Sequence, residues 1–305
     1  MKDLIIIGAG PAGLSASIYA SRYKLENLVI GSEIGGQGNE AWEVENYPGF
    51  ETISGKELME KFSSHAKKLG AEIIQENVIQ VSKKDETFSV SLKDNSVHEA
   101  RMLIFALGMK PRKLNIPNED KFVGKGVSYC ATCDAMFFRG KDVVVIGGGD
   151  SAVTSAIHLA EVANSVRLMY KEGTKSCEPA WEERMKENSK ISCEIFSAIT
   201  GIKGENTVEG MIYEGNGEKK EIAVQGIFIE VGTVPGVIIA QNLGVATDEQ
   251  GFIVVDALQA TNVENVYAAG DVTTGSNKFR QIITACAEGA VAAGSAYKKL
   301  KITKK

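Results

Sequence analysis

Cys130 and Cys133, separated by two residues, form the most reactive pair in the sequence. Two thiols at this spacing can close a disulfide and open it again, and their surroundings can make one of them acidic. Zinc is the competing occupant, but it needs four ligands, and no second C-x-x-C or His pair follows at metal spacing. We therefore interpret the pair as redox-active and expect no metal site. Asp134 follows directly and could manage the proton of a leaving thiolate.

A glycine turn near the N-terminus has the spacing of a dinucleotide fingerprint. Gly8, Gly10 and Gly13 follow the apolar run 3–7, which predicts a buried strand, and precede a small-residue helix over 14–22. In such a unit the first glycine makes the turn, the second admits a pyrophosphate, and the third lets helix and strand pack closely. The phosphates then lie at the helix N-terminus, where free N–H groups favour anions.

The same pattern recurs 139 residues later. Gly147, Gly149 and Ala152 follow a predicted strand over 141–146 and open a helix over 153–162, with a strand over 165–170. Alanine at the third position is allowed by the fingerprint. A degenerate repeat that binds nothing is the alternative. Two working copies would indicate two cofactors that exchange a hydride.

The remaining pattern predicts an α/β protein in which the second unit is inserted into the first. Strands are predicted over 28–30, 88–92, 207–213, 220–229, 252–255 and 266–271, and a helix over 281–300. Crossovers between the units are predicted at 106–117 and 231–236. We expect two Rossmann-like domains of three-layer ββα type.

Composition narrows the function classes. The 305 residues are 44% hydrophobic and 24% charged, and 34 basic against 39 acidic side chains give a net charge of −5. This mild acidity argues against nucleic acid or an anionic membrane as the main partner. Five cysteines, an odd number, favour a reducing compartment. Without a signal peptide or an 18-residue apolar run, we expect a cytoplasmic protein.

Taken together, these motifs closely resemble those of the low-molecular-weight thioredoxin reductases. The resemblance covers essentially the whole chain. It depends on both glycine turns and on the segments 35–37, 44–49, 129–134, 267–271 and 280–281. It implies an FAD domain over 1–113 and 237–305 and an inserted nicotinamide domain over 114–236. It also implies a thioredoxin-like partner and a homodimer.

The resemblance assigns roles to individual residues. Cys133 corresponds to the thiol that meets the flavin, Cys130 to the one that attacks the partner's disulfide, and Asp134 to the acid/base. The positions matched to FAD are Gly8, Gly10, Pro11, Ala12, Gly13, Gly31, Ser32, Glu33, Gly36, Gln37, Asn46, Gly108, Gly270, Asp271, Arg280 and Gln281. The nicotinamide positions are Gly147, Gly148, Gly149, Asp150, Ser151, Ala152, Lys171 and Glu172.

One departure from the family concerns the electron donor. NADPH-dependent members carry His-Arg-Arg-x-x-x-Arg after the strand at 165–170, and their arginines hold the 2′-phosphate. This chain has Tyr-Lys-Glu-Gly-Thr-Lys over 170–175, in which Glu172 lies between Lys171 and Lys175. Lysine lacks the planar fork of arginine, and a carboxylate repels the phosphate. We expect poor use of NADPH, so NADPH, NADH and a reduced ferredoxin or deazaflavin all remain candidate donors.

Two smaller departures are Leu107 and Gly236, where many relatives have Thr and Asn. We expect both to adjust packing only.

Two other function classes remain open beside the reductase. One is a redox-sensing module whose dithiol responds to the redox state of the cell, and the other is a related flavin oxidase that acts on a small dithiol.

Overall fold

The structure, a computed structural model, describes residues 1–215 and 217–303, so the expected domain end at residue 305 lies outside this range. The chain divides into two compact units, Met1–Lys110 with Val234–Lys305 (the first unit) and Pro111–Thr233 (the second unit). The family resemblance predicts these divisions at 113/114 and 236/237. That each unit binds its own nucleotide stays a prediction.

The helices and strands follow one another in three stretches of the chain. The first unit opens with β1 (Lys2–Ile7), α1 (Pro11–Arg22), β2 (Asn27–Gly31), α2 (Gly55–Lys68), β3 (Glu72–Gln75), β4 (Val78–Lys84), β5 (Thr87–Leu92), β6 (Val97–Phe105) and β7 (Met109–Pro111). The second unit contains α3 (Glu119–Phe122), β8 (Val127–Ser128), α4 (Ala131–Asp134), β9 (Asp142–Ile146), α5 (Asp150–Val162), β10 (Ser165–Lys171), α6 (Pro179–Lys186), β11 (Ile191–Phe196), β12 (Ala198–Lys203), β13 (Gly210–Gly215), β14 (Glu218–Ala223) and β15 (Gly226–Ile229). The chain ends with β16 (Thr233–Pro235), α7 (Ile238–Asn242), β17 (Val266–Ala268) and α8 (Ile282–Thr303).

The first unit is built on a sheet of mixed direction. Strands β3, β2, β1, β6 and β17 are parallel, and β5 and β4 continue from β6 as an antiparallel pair. The parallel part consists of apolar runs that are buried on both faces, as parallel sheets require. Helices α1 and α8 pack closely because α8 is rich in Ala and Gly: a Cβ on Gly289 would lie 2.1 Å from the carbonyl oxygen of Ala12.

The second unit has a separate parallel sheet in the order β11-β10-β9-β15-β8, and β12-β13-β14 form an antiparallel sheet beside it. Each unit therefore begins its core with a strand, a glycine turn, a helix and a parallel strand. This arrangement confirms the expected α/β class with two Rossmann-like units, the second inserted into the first. None of the helices in the described part of the chain combines the length and apolarity that a bilayer crossing requires.

Several element bounds differ from those expected. Both helices begin directly after the second glycine, at Pro11 and Asp150, three residues earlier than predicted. The stretch 220–229 is two strands in different sheets, because the chain leaves β14 at Val224 and enters β15. Residues 252–255 form no strand, and Ile253 makes only isolated bridges.

Candidate functional site

The first glycine turn joins β1 to α1 through a backbone that requires glycine. Gly8 has φ +118°, and a Cβ there would lie 2.0 Å from the carbonyl oxygen of Ala106. A Cβ on Gly13 would lie 1.8 Å from the carbonyl oxygen of Gly8, so helix and turn touch at this point. At Gly10 the nearest atom to an added Cβ is the carbonyl oxygen of Gly35, 3.7 Å away. The turn is therefore open beside its second glycine, where the fingerprint expects a pyrophosphate.

The segment after β2 returns to this turn. The N–H of Gly35 donates to the carbonyl oxygen of Ala9 at 2.8 Å. Gly36 has φ +52°, and a Cβ on it would lie 3.3 Å from Cα of Gly10. These glycines let the returning backbone lie beside the open side of Gly10. The Glu33 side chain, earlier in the same segment, is exposed.

Two contacts bring together expected FAD residues that are distant in sequence. Oε1 of Gln37 accepts a hydrogen bond from the N–H of Met109 at 3.3 Å, next to Gly108. Nδ2 of Asn46 donates to Oε1 of Gln281 at 3.2 Å, across 235 residues of sequence. Each contact joins parts of the first unit that are far apart in the sequence, although the roles of these residues toward a ligand stay predictions.

Asp271 lies in the loop that follows β17. Burial raises the pKa of its carboxyl group to about 6; the Arg280 guanidinium lowers it and Glu288 raises it. The loop lies against α1, since a Cβ on Gly270 would be 2.9 Å from Cβ of Ala12. Asp271 and Arg280 are therefore close to each other, and the Asp271 loop contacts the first turn of α1.

Sequence reasoning missed Glu288, a buried carboxylate on α8. Its Oε2 accepts hydrogen bonds from the N–H of Gly270 at 2.8 Å and from Oγ1 of Thr273 at 3.0 Å. Glu288 thereby fixes the loop that carries Asp271. One signal could have found it, because Glu288 is the only charged residue within 282–297 of an otherwise small and apolar helix.

The second glycine turn repeats the backbone contacts of the first. Gly147 has φ +147°, and a Cβ there would lie 2.1 Å from the carbonyl oxygen of Glu230. The N–H of Gly147 donates to the carbonyl oxygen of Met169 at 2.8 Å, as the N–H of Gly8 donates to the carbonyl oxygen of Ile30 at 2.7 Å. The repeat in the sequence is therefore a repeat in structure.

The segment after β10 returns to the second turn as the segment after β2 returns to the first turn, but the side chains of the two segments differ. The N–H of Ser176 donates to the carbonyl oxygen of Gly148 at 2.8 Å, and an added Cβ on Gly149 has Oγ of Ser176 as its nearest atom, 3.9 Å away. Asp150 begins α5, and its Oδ1 accepts the N–H of Glu178 at 2.6 Å. A carboxylate thus stands at this helix N-terminus, whereas the first turn of α1 has no acid.

The residues after β10 are mostly exposed. Lys171 and Glu172 are exposed, and their side chains form no hydrogen bond or ion pair with another residue in the described ranges. Lys175 is bound to Glu182 at 2.7 Å, and Lys186 binds the same carboxylate at 2.9 Å. These two lysines lower the pKa of Glu182 to about 2. Of the expected nicotinamide residues on α5, Ser151 is exposed and Ala152 is buried.

Cys130 and Cys133 are joined by a disulfide across α4, with 5.3 Å between their Cα atoms. Cys130 is the N-cap of this short helix, and its Sγ accepts the N–H of Cys133 at 3.2 Å. Cys133 is exposed, while Cys130 and Asp134 are half-buried. After reduction this N–H would stabilise a thiolate on Cys130, because hydrogen bonding favours the charged form.

A second buried carboxylate, Glu119, contacts the residue that precedes Cys130. Glu119 accepts a hydrogen bond from the hydroxyl of Tyr129 at 2.6 Å and from the N–H groups of Leu114 and Ile116 at 3.0 and 3.3 Å. Burial and this carboxylate raise the pKa of Tyr129, which directly precedes Cys130. Sequence reasoning missed Glu119, and no local pattern marks it.

The two smaller sequence departures lie within the first unit. Leu107 packs against its apolar core. A Cβ on Gly236 would have Cε of Lys110 as its nearest neighbour, 3.5 Å away. The expectation that they only adjust packing stays a prediction.

Comparison with known proteins gives one result for sequence families and several for individual proteins. A family described as pyridine nucleotide-disulphide oxidoreductase matches residues 2–289. The thioredoxin reductase of Bacillus subtilis is 39% identical over 297 residues, which are 96% of this chain and 93% of that protein. The crystal structure of Lactococcus lactis thioredoxin reductase has a TM-score of 0.94 at 37% identity, covering 99% of this chain and 100% of that one. A ferredoxin-flavin thioredoxin reductase from Clostridium acetobutylicum has a TM-score of 0.53 at 32% identity, covering 99% and 98%.

Proposed function

Because the chain belongs to the pyridine nucleotide-disulphide oxidoreductase family, we propose that it is a flavoprotein that reduces the disulfide of a thioredoxin-like protein. The resemblance to the thioredoxin reductases inferred from the motifs is confirmed by this family match and by the similarity to thioredoxin reductases over nearly the whole chain. The observation that carries the proposal is the Cys130–Cys133 disulfide, which lies at a partly exposed turn. The similar proteins from Bacillus subtilis and Lactococcus lactis are named thioredoxin reductases.

In this proposal the first glycine turn and the residues gathered around it hold FAD. The turn suits an anionic pyrophosphate, because Gly10 is open on one side and α1 begins without an acidic residue. Bound FAD would supply a carrier that accepts two electrons from a donor and passes them to a disulfide. With a pKa of about 6, Asp271 is mostly charged at neutral pH and would be able to accept hydrogen bonds from the hydroxyl groups of a bound dinucleotide.

The cysteines carry the reaction with the partner. Two electrons and two protons open the Cys130–Cys133 disulfide to two thiols. The Cys130 thiolate attacks one sulfur of the partner's disulfide, so a mixed disulfide forms and the partner's other sulfur leaves as a thiolate. Cys133 then attacks Sγ of Cys130, which releases the second partner thiolate and restores the internal disulfide. Asp134 is proposed to exchange protons with the leaving thiolates.

The mixed disulfide gives a test of these roles that does not depend on the electron donor. A thioredoxin with one cysteine, joined to thionitrobenzoate, releases a coloured thiolate when another thiol attacks it. The Cys133→Ser protein should release it rapidly and become linked to thioredoxin, because Cys130 remains. The Cys130→Ser protein should not become linked. Cys193→Ser, which removes an exposed free thiol, is the matched control and should behave as the native protein.

Turnover separates the reductase from its rivals. The FAD-loaded protein, reduced with excess dithionite and freed of the remaining reagent, should deliver up to four electrons per chain to thioredoxin disulfide, two from FAD and two from the dithiol, and should do so again after each new reduction. A redox sensor would not pass electrons to thioredoxin in repeated cycles. A dithiol oxidase would consume oxygen and leave the thioredoxin disulfide unchanged. Asp134→Asn should slow turnover about 100-fold by loss of acid/base help. An unchanged rate would make Asp134 an ordinary loop carboxylate.

The donor, location and assembly belong to the same proposal. A nicotinamide dinucleotide at the second glycine turn is the family's donor, and reduced ferredoxin is the alternative that the name of the Clostridium acetobutylicum protein favours. Reduced deazaflavin is a third candidate. We also propose a cytoplasmic homodimer, on the resemblance to the family. Light scattering of the purified holoenzyme tests the dimer, because it measures molar mass directly.

A further inference from the structure

The internal repeat allows the two units to be compared residue by residue. In the first unit Ile7 of β1 pairs with Ile30 of β2, and in the second unit Ile146 of β9 pairs with Met169 of β10. In each pair, the residue of the first strand directly precedes the first glycine of the turn, and the residue of the second strand accepts the N–H of that glycine. Each member of the second pair lies 139 residues after its counterpart. The strand register is therefore the same in both units.

This register places Glu33 and Glu172 at equivalent positions. Each lies three residues beyond the paired strand residue and 23 residues after the second glycine of its turn. An acidic residue at this position of a Rossmann unit accepts hydrogen bonds from the hydroxyl groups of the adenosine ribose. Such a carboxylate also repels a phosphate attached to the same ribose.

We propose that the second glycine turn takes a dinucleotide whose ribose lacks a 2′-phosphate, NADH in preference to NADPH, and that Glu172 determines this specificity. The proposal rests on the proposed function, since it names the donor of that reductase. The Glu172 carboxylate is exposed and has no hydrogen-bond or ion-pair partner among residues 1–215 and 217–303, so it is available to a ribose.

The nearby lysines do not compensate for the missing arginines. Nζ of Lys175 lies 2.7 Å from Glu182, so a phosphate would have to compete with this ion pair. Lys171 remains available, but it directly precedes Glu172 in sequence. One lysine offers a point charge and not the planar fork that recognises a phosphate. The segment thus lacks the concentrated positive charge that a 2′-phosphate requires.

Calorimetric titration of the FAD-loaded protein with NAD⁺ and with NADP⁺ tests the proposal without relying on activity. NAD⁺ should bind at least about tenfold more tightly, which corresponds to about 1.4 kcal/mol. Glu172→Gln should reduce this ratio severalfold, and Glu172→Arg should reverse it in favour of NADP⁺. Glu187→Gln removes an exposed carboxylate beyond α6 and should keep the native ratio.

Three results would overturn the proposal: equal or tighter binding of NADP⁺, a ratio that Glu172→Gln leaves unchanged, or no binding of either dinucleotide at millimolar concentration. The dithionite-driven reduction of thioredoxin does not involve the second turn. If it proceeds while both dinucleotides fail to bind, the donor assignment is wrong and the reductase remains. If it fails as well, the proposed function is wrong.

Discussion

The two glycine turns have the same backbone and differ in the residues that face the ligand position. Beside the first turn lie Gly35 and Gly36, which are buried or half-buried, and α1 begins without an acid. Beside the second turn lie exposed charged residues, and α5 begins with Asp150. A turn whose neighbouring glycines are buried or half-buried suits a permanently held dinucleotide, and a turn flanked by exposed charged side chains suits one that exchanges. Glycine spacing alone does not distinguish these two uses.

The largest expected effect comes from adding a methyl group to the first glycine of each turn. Gly8→Ala and Gly147→Ala each place a Cβ about 2 Å from a carbonyl oxygen at positive φ, so each should destabilise its unit by about 3 kcal/mol or more. Gly8→Ala should lose FAD. Gly147→Ala should keep FAD and lose dinucleotide binding. Bound flavin by absorbance and binding by calorimetry measure the two effects.

Gly70→Ala and Gly140→Ala are the controls for this pair. Both glycines have positive φ, but an added Cβ would have no neighbour within 4 Å. They therefore impose backbone strain without the clash and should retain both ligands. Loss of FAD from Gly147→Ala to the same extent as from Gly8→Ala would contradict the division between the turns.

The buried carboxylate beside the first turn should make the stability of the FAD-free protein depend on pH. The folded pKa of Asp271 is about 6, above the ordinary value of 3.8, so the folded state binds this proton more tightly. The stabilisation is complete below about pH 4 and is lost as pH rises through 6, with an upper value of about 3 kcal/mol. Urea unfolding between pH 4 and 7 should show this loss, and Asp271→Asn should remove it. A native slope that Asp271→Asn leaves intact would assign the effect to another group.

A smaller effect is expected from the carboxylate that positions Asp271. Glu288→Gln retains the shape of the side chain but weakens the hydrogen bonds to Gly270 and Thr273, at a cost of about 1 kcal/mol. FAD affinity should fall about fivefold, and the pH dependence assigned to Asp271 should shift to lower pH because a negative neighbour is gone. Unchanged pH dependence would reduce Glu288 to a packing role.

The smallest effect concerns the lysine held beside the second turn. Glu182→Gln frees Lys175 from its ion pair, so NADP⁺ should bind about two- to fivefold more tightly. Glu187→Gln should leave NADP⁺ affinity unchanged. If freeing Lys175 changes NAD⁺ and NADP⁺ equally, the lysine does not face the ribose.

The fold could be predicted from sequence where a local pattern specifies it. Glycine spacing after an apolar run identified both βαβ units, because the first glycine of each turn has positive φ and no room for a side chain. Long-range contacts have no such pattern: Asn46 and Gln281 are 235 residues apart, and Glu119 and Glu288 act through burial that only the folded chain creates. The run 252–255 is apolar enough for a strand, but Ile253 makes only isolated bridges.

The central claim is that electrons reach Cys130 and Cys133 through FAD bound at the first turn. Adding one equivalent of dithionite anaerobically to the FAD-loaded protein, followed by alkylation and mass mapping, tests it directly. Two new thiols per chain should appear, at Cys130 and Cys133, while the FAD-free protein treated identically keeps its disulfide. A disulfide that stays closed while the flavin is reduced, or that opens equally without FAD, would contradict the account.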